Sequence, residues 1–355
     1  MSKLPSPLLM PILSLLSLYA LSACSKSTSD VAATAVPRVS CSDLLKTCND
    51  PLPNLGPKRP FKHFHSTLIT KTGSASHRAR DIYTTVGKET WATAKFAYGL
   101  ADADLKGEEV DVYIKGGCGK PWQKLGTFTT TEDDEHETVD GVEDTGGHVY
   151  INLAESLPSP LAVGHYQLFY AVAGDGTTVS ANLEVLAPET KVLVTDVDGT
   201  LTSSELASAT SLIGISPSAH PGAAELLTAF YRRGYFIYYL TARPEWMGKI
   251  SHDWIKEKGF PPGLLNTTQF LGGAVGEAAS QFKVEEMKLL REKTGIVPSF
   301  AFGNKESDVA AFAQAGIAPA NSYYYKLDGD AGGGHIHSDY QGLWNAAAAA
   351  PAACY

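Results

Sequence analysis

The chain has 355 residues, 44% of them apolar and 19% charged, enough for two folded domains with ordinary cores. Its formal net charge of −9 excludes a general affinity for nucleic acid, because no basic excess is available to pair with phosphates. One phosphorylated ligand in a local basic pocket remains compatible with that charge.

The first residues hold one lysine, an apolar stretch from Leu8 to Ala20, then LSAC (Leu21 to Cys24) and a Ser/Thr run. The apolar stretch is shorter than the roughly 20 residues a membrane-spanning helix needs, so residues 1–23 read as a signal peptide. LSAC resembles the lipobox of bacterial lipoproteins. The resemblance implies lipid on Cys24 and a membrane anchor through that lipid. Because Ser25 follows, it also implies the outer membrane of a bacterial cell envelope. An uncleaved anchor and an ordinary signal peptide are the alternatives. In that oxidising compartment Cys41, Cys48, Cys118 and Cys354 have disulfides open to them. Cys41 with Cys48 is the local pairing, leaving Cys118 with Cys354. None of the four stands in a CxxC or Cys/His spacing, which argues against zinc.

Residues 24–60, rich in Ser, Thr, Ala and Pro, read as a tether. Residues 61–188 carry strand signals at Trp91 to Gly99, Glu109 to Lys115, Lys124 to Thr131, Gly147 to Leu153, Gly164 to Gly174 and Thr178 to Leu186, separated by glycine-rich turns. This spacing predicts an all-β, immunoglobulin-like sandwich. The acidic run Thr131 to Glu137 reads as a solvated hairpin tip rather than a calcium loop.

Past the boundary APETK (Ala187 to Lys191) the pattern alternates through residues 189–345, with 346–355 as a tail. KVLVTD is a strand. PGAAELLTAFYRRG is a helix with Pro221 in its first turn and Gly234 past its end. YFIYYLT is a strand. EWMGKISHDWIKEKG is a helix with Trp246, Ile250 and Trp254 on one stripe. FKVEEMKLLREKTG is a helix, SFAFGN a strand and SDVAAFAQAG a helix. Uniformly apolar strands alternating with helices predict a Rossmann-like α/β domain: a parallel sheet covered on both faces. The ligand of such a sheet sits at the carboxyl ends of its strands. Three strands there end in Asp196-Val197-Asp198-Gly199-Thr200, in Thr241-Ala242-Arg243-Pro244 and in Gly303-Asn304-Lys305-Glu306-Ser307-Asp308. An EF-hand starting at Asp196 fails, because Leu201 and Ala207 stand where glycine and an acid are needed. His335 and His337, in LDGDAGGGHIHSD, read as part of a flexible glycine loop rather than a metal site.

DVDGT after an apolar strand resembles motif I of the haloacid-dehalogenase-like phosphatases. Thr241 matches motif II, Lys283 in QFKVEEM motif III and GNKESD motif IV. Lys288, a turn further into the helix, competes with Lys283 but reads as a surface residue. Within that superfamily DVDGTLTSSE, YYLTARPEWM and FAFGNKESDV are most similar to the phosphatase domain of lipins, shared with phosphatidylinositol-transfer proteins of the retinal-degeneration-B type. Lipins also join an immunoglobulin-like fold to this domain.

The resemblance implies a Mg²⁺-dependent phosphomonoesterase. Asp196 would be the nucleophile, forming an aspartyl-phosphate, and Asp198 the general acid and then base. Thr241 and Lys283 complete the catalytic set. Gly199, Thr200, Ala242, Arg243 and Asn304 would face the substrate, with Lys305 beside them; surface salt bridges are the equal alternative for Arg243 and Lys305. Asp196, the backbone carbonyl of Asp198, and Asp308 would hold the metal. Asn304 stands where many relatives carry aspartate, and lipins share the asparagine. Core elements fill the stretches from Thr202 to Thr241 and from Thr241 to Lys283, so the domain is expected to be capless. An open site suits a bulky substrate, with phosphatidate first in line. A non-catalytic phosphatidate-sensing module is the alternative, as the related domain of the transfer proteins is thought to be. The intact acid pair favours the enzyme. A third reading gives the function to the sandwich and makes the second domain a scaffold. Oligomeric state has no signal in the sequence.

Overall fold

A computed structural model describes residues 50–203 and 216–353. The signal peptide, the lipobox with Cys24, and Cys41, Cys48 and Cys354 lie outside the described residues. Cys118 is disulfide-bonded, and its partner also lies outside them.

The first domain is built on two sheets. β1 (Arg78–Ala79), β3 (Trp91–Lys95) and β8 (His148–Asn152) form an antiparallel sheet in the order β1-β3-β8. β2 (Ile82–Thr85), β6 (Glu109–Gly116), β7 (Gln123–Thr129), β9 (Gly164–Val172) and β10 (Thr178–Leu186) form the other, ordered β2-β10-β9-β6-β7. Only β2 with β10 runs parallel in it. Alternate residues of β3, β6, β8, β9 and β10 meet in a core that includes Ala92, Val110, Val112, Ile151, Leu168, Tyr170 and Leu183. A short pair, β4 (Ala97–Tyr98) and β5 (Ala103–Asp104), completes the strands. The stretch expected as one strand from Trp91 is divided at Phe96, whose amide still donates to Gly147 O while its carbonyl turns to accept from the Leu105 amide.

Two helices here had no sequence expectation: α1 (Phe64–Thr72) and the one-turn α2 (Leu153–Ser156). Residues 50–63 are held along the sandwich. Arg59 grips Asp111 with both terminal nitrogens at 3.0 Å, and Asp50 Oδ2 accepts from Lys115 Nζ and the Gly119 amide at 2.9 Å. The amides of Lys62 and His63 donate to Glu108.

The second domain is a six-stranded, all-parallel sheet of β11 (Val192–Thr195), β12 (Phe236–Pro244), β13 (Leu264–Thr268), β14 (Phe300–Gly303), β15 (Ser322–Tyr325) and β16 (His335–His337). Its order is β13-β12-β11-β14-β15-β16. Counted within the domain this is the 3-2-1-4-5-6 order of doubly wound sheets, with the switch point between β11 and β14. All of β11 is buried because α3 (Ala223–Arg232) and α4 (Gly248–Glu257) lie on one face, and α5 (Gly276–Thr294) and α6 (Glu306–Gln314) on the other. α7 (Trp344–Ala349) closes the first layer, with Ala347 and Ala350 in its core.

Several details differ from the sequence reading. Pro221 precedes α3, and Gly222 at φ 82° is the residue that turns the chain into it. α5 begins seven residues before Lys283, so that lysine sits mid-helix. The stripe Trp246, Ile250, Trp254 is not a core stripe. Trp246 lies in a 3-10 turn (Glu245–Met247), and the buried face is Met247, Ser251, Trp254 and Ile255. β13 and β15 had no strand expectation. His335 and His337 lie on β16, paired with β15 at the sheet edge, not in a flexible loop. Beyond β11, Thr202 bridges Ala219, and the intervening residues 204–215 lie outside the description. Between Thr241 and Lys283 the chain forms only α4, β13, the start of α5 and their connections. Among the described residues no helix is long and apolar enough to cross a membrane.

Candidate active site

The switch point brings the three polar strand ends together. Asp196 follows β11 directly, and its amide donates to Phe302 O of β14, so its side chain leaves the sheet at the crevice. A turn follows with Gly199 at φ 76°, where its amide donates to Thr202 Oγ1 at 2.9 Å. Lys283, buried on α5, donates to Asp196 Oδ1 at 2.7 Å and to Asp308 Oδ1 at 2.5 Å. Lys288, the competitor, is exposed and pairs with Glu292 at 3.6 Å.

Asp308 is fully buried in the first turn of α6, where its Oδ2 accepts from the amides of Asn304 and Lys305 at 2.9 and 3.0 Å. That fit requires Gly303: a Cβ there would stand 2.5 Å from Asp308 Cβ and 2.8 Å from Oδ2. Thr200 Oγ1 lies 2.9 Å from Asp196 Oδ2 and 3.0 Å from Asn304 Oδ1, so two hard oxygens converge on one hydroxyl.

Asp198 is held differently. Arg243, buried at the end of β12, donates through Nε and Nη2 to its two oxygens at 2.8 Å each. Thr241 Oγ1 donates to Asp198 Oδ2 at 3.0 Å, and the Arg243 amide lies 3.3 Å from Thr241 Oγ1. A forked pair of this kind fixes orientation as well as charge. Arg243 is therefore part of the crevice and not a surface ion pair. Lys305 is exposed at the start of α6. Ala242 contributes its carbonyl, which accepts from the Ala274 amide at 2.9 Å.

Burial pushes the Asp196 carboxyl up to about 7. Lys283 pulls it down, while Asp308 and Asp198 raise it further. The Lys283 ammonium is raised despite its burial, because both carboxylates face it. Two carboxylates on one ammonium leave a net negative charge in a dry crevice, a setting that suits a divalent cation. The Asp196, Asn304 and Asp308 side chains bring their oxygens into that setting. Among the described residues no cluster of three or more His, Cys, Asp or Glu side chains forms a metal site, so such a cation would lean on amide and backbone oxygens as well.

Four residues were absent from the sequence reading. Ser251 Oγ accepts from Arg243 Nη1 at 2.9 Å, Thr202 receives the Gly199 amide, His220 Nε2 sits 3.3 Å from Gly199 O, and the Tyr340 hydroxyl donates to Thr200 O. Thr202 stands beside DVDGT and was the only one with a local signal. A cleft of about 880 Å³ opens from Gly199 and Asn304, past His220 and Tyr325, toward Lys326 and Asp328.

Two family models match the chain. Residues 193–326 match the LNS2 domain of PITM 1-3, and residues 75–185 match the PITM 1-3 beta-sandwich domain. Protein retinal degeneration B of Drosophila melanogaster is 28% identical over 265 residues, covering 74% of this chain and 19% of that protein. Membrane-associated phosphatidylinositol transfer protein 1 of Homo sapiens is 26% identical over 275 residues, covering 75% and 20%. The chain thus spans about a fifth of the length of these relatives, across both domains. Among solved structures, the cobalt-bound deoxy-D-mannose-octulosonate 8-phosphate phosphatase of Haemophilus influenzae is 18% identical. It covers 43% of this chain and 80% of that one at a TM-score of 0.29, too low to bear on the site.

Proposed function

We propose that this protein is a Mg²⁺-dependent phosphomonoester hydrolase acting through an aspartyl-phosphate, with phosphatidate or a related phospholipid as substrate. We place it on a bacterial cell envelope, anchored through lipid on Cys24, in the outer membrane. The carrying observation is the Asp196–Lys283–Asp308 cluster at the carboxyl end of β11, with Asp198 beside it. Asp196 attacks phosphorus, forming an O–P bond as the ester P–O bond breaks, and Asp198 gives its proton to the leaving alkoxide. Water then attacks the same phosphorus, returns a proton to Asp198 and frees Asp196. Thr241, the amides around Arg243 and the Lys283 ammonium stabilise charge on the transferring phosphoryl oxygens. Bound Mg²⁺, held by Asp196, the Asp198 carbonyl, Asp308 and Asn304, would neutralise charge between the carboxylate and the phosphate.

One observation favours a second reading, phosphatidate binding without turnover. Both Asp198 oxygens accept from Arg243, so the carboxylate is engaged by the fork rather than turned free toward a leaving group. The relatives' names as transfer proteins are in keeping with it.

The deciding assay measures phosphate release from phosphatidate in detergent micelles and from a small aryl phosphate, with and without Mg²⁺, beside Asp196→Asn. Release from phosphatidate that needs both Mg²⁺ and Asp196, with the variant down by about 10³ or more, supports the enzyme. Lipid binding without release from either ester supports the sensor.

A further inference from the structure

The connection from β13 to α5 carries QFLGGAV over residues 269–275. Phe270, Leu271 and Val275 are 61%, 65% and 84% exposed. From Phe270 to Gly276 no side chain carries a polar atom. The loop is nonetheless fixed at both shoulders. Gln269 Nε2 donates to Gly141 O at 2.7 Å, and the Ala274 amide donates to Ala242 O at 2.9 Å. The Gly273 amide closes the tip on Phe270 O at 2.8 Å, and Trp246 Nε1 donates to Leu271 O at 2.9 Å. Gly273 has φ +74°, and a Cβ there would stand 3.0 Å from Ala242 O, so the close approach depends on glycine. Four residues after Trp246, Ile250 is 37% exposed. Trp246 and Ile250 of the stripe read from the sequence thus lie toward this loop and the surface, while Trp254 is buried.

Single exposed apolar residues are ordinary, but a contiguous, held-out group marks an interaction surface. This one borders the candidate site, because Ala242 sits next to Thr241. We propose that residues 270–275 form a membrane-docking tip. It inserts Phe270, Leu271 and Val275 into the headgroup–acyl boundary of a lipid surface and turns the Asp196 crevice toward the headgroup phosphates. The proposal deepens the reading above and rests on its lipid-substrate part.

Lipid fits better than a protein partner. A protein interface uses a hydrogen bond for every one or two hundred square ångströms, and this tip offers no side chain to make one. A tip without charged side chains brings no ion into the boundary, and the Phe270 and Leu271 carbonyls and the Gly273 and Ala274 amides are already hydrogen-bonded.

The test is hydrogen exchange of the full chain with vesicles of phosphatidylcholine containing phosphatidate. Amides of residues 270–276 slow about tenfold or more on adding vesicles. Those of the turn at Leu100, a still more exposed apolar residue of the sandwich, do not. Phe270→Asp with Leu271→Asp abolishes the slowing while leaving the thermal unfolding midpoint in place. Unchanged exchange in the loop on vesicle addition overturns the proposal. Slowing that follows protein concentration without vesicles assigns the tip to a second copy and overturns it too. Loop protection without phosphate release would keep the docking tip and remove the phosphatase reading. Release from phosphatidate without loop protection would do the reverse.

Discussion

Lys283 reaches Asp196 and Asp308 from the middle of α5, buried with both of them. Replacing it by methionine keeps the volume of the stem but leaves two carboxylates facing each other. Removing one partner of a buried ion pair costs about 3–5 kcal/mol, because the other charge stays buried and unpaired. Lys283→Met is therefore expected to lower the unfolding midpoint and to gain more from millimolar Mg²⁺ than the wild type does. Thermal unfolding with and without Mg²⁺ checks this, and equal gains in both proteins would remove the divalent-cation reading of the cluster. Asp196, Asp198, Thr241 and Asp308 were readable one by one, because each sits in a short motif at an element end, whereas Lys283, mid-helix, was readable only through QFKVEEM. The role of Arg243 was not. Its partner Asp198 is 45 residues away, and Tyr340 meets Thr200 across 140 residues. Nothing local in a sequence encodes such a meeting.

The elements themselves were most legible where the hydrophobic pattern was longest. β10 falls on the expected residues, and β6, β9, β11, β12, α3 and α6 differ only at their ends. β13 and β15 were missed because LLNTT and SYYY are five- and four-residue runs without a turn signal on both sides. The docking of the two domains was also invisible, because the residues that make it read as surface charge. Arg80, one residue before the buried Asp81, pairs with Glu286 of α5, whose Oε2 also accepts from Tyr238 OH and Asn266 Nδ2 at 2.9 Å each. Tyr83 OH donates to Glu286 O at 3.2 Å. Glu286 stands one turn after Lys283, so the sandwich braces the helix that supplies the site's ammonium. Arg80→Met leaves that carboxylate buried without its cation and is expected to cost about 3–5 kcal/mol. Adding Glu286→Met should recover part of the loss, because it removes the unpaired buried charge but leaves the Tyr238 hydroxyl without its acceptor. Urea unfolding of the two single variants and the double variant gives the coupling, and additive losses would show that the pair is not the brace.

Across the whole molecule, the histidines set opposing proton balances. Burial lowers His77 and His148 to about 4; Arg78 adds to the fall at both, and Lys95 at His148. His165 and His252 are raised, each against its own burial, by Glu184 and by Asp81 respectively. Asp81 lies on the sandwich and also accepts from the Asn182 and Leu265 amides at 2.8 and 2.9 Å, so its pairing with His252 of α4 joins the domains. An unfolded histidine titrates near 6.5. Between about pH 4 and 6.5 the unfolded chain binds protons that folded His77 and His148 refuse, so stability falls as pH drops through that window. Above about 6.5 the folded chain keeps protons on His165 and His252 that the unfolded chain has lost, so stability falls as pH rises through their raised values. The two windows meet near 6.5, and the expected profile is a maximum there with a loss on either side. The fall from 6.5 to about 4, at about 1.4 kcal/mol for each tenfold loss of proton affinity, sets an upper bound of about 3.5 kcal/mol per histidine on the acid-side loss. Unfolding midpoints measured from pH 4.5 to 9 test the shape. His148→Gln should flatten the acid limb alone and His252→Gln the alkaline limb alone. A monotonic profile, or either variant flattening the opposite limb, would mean that other groups govern the balance.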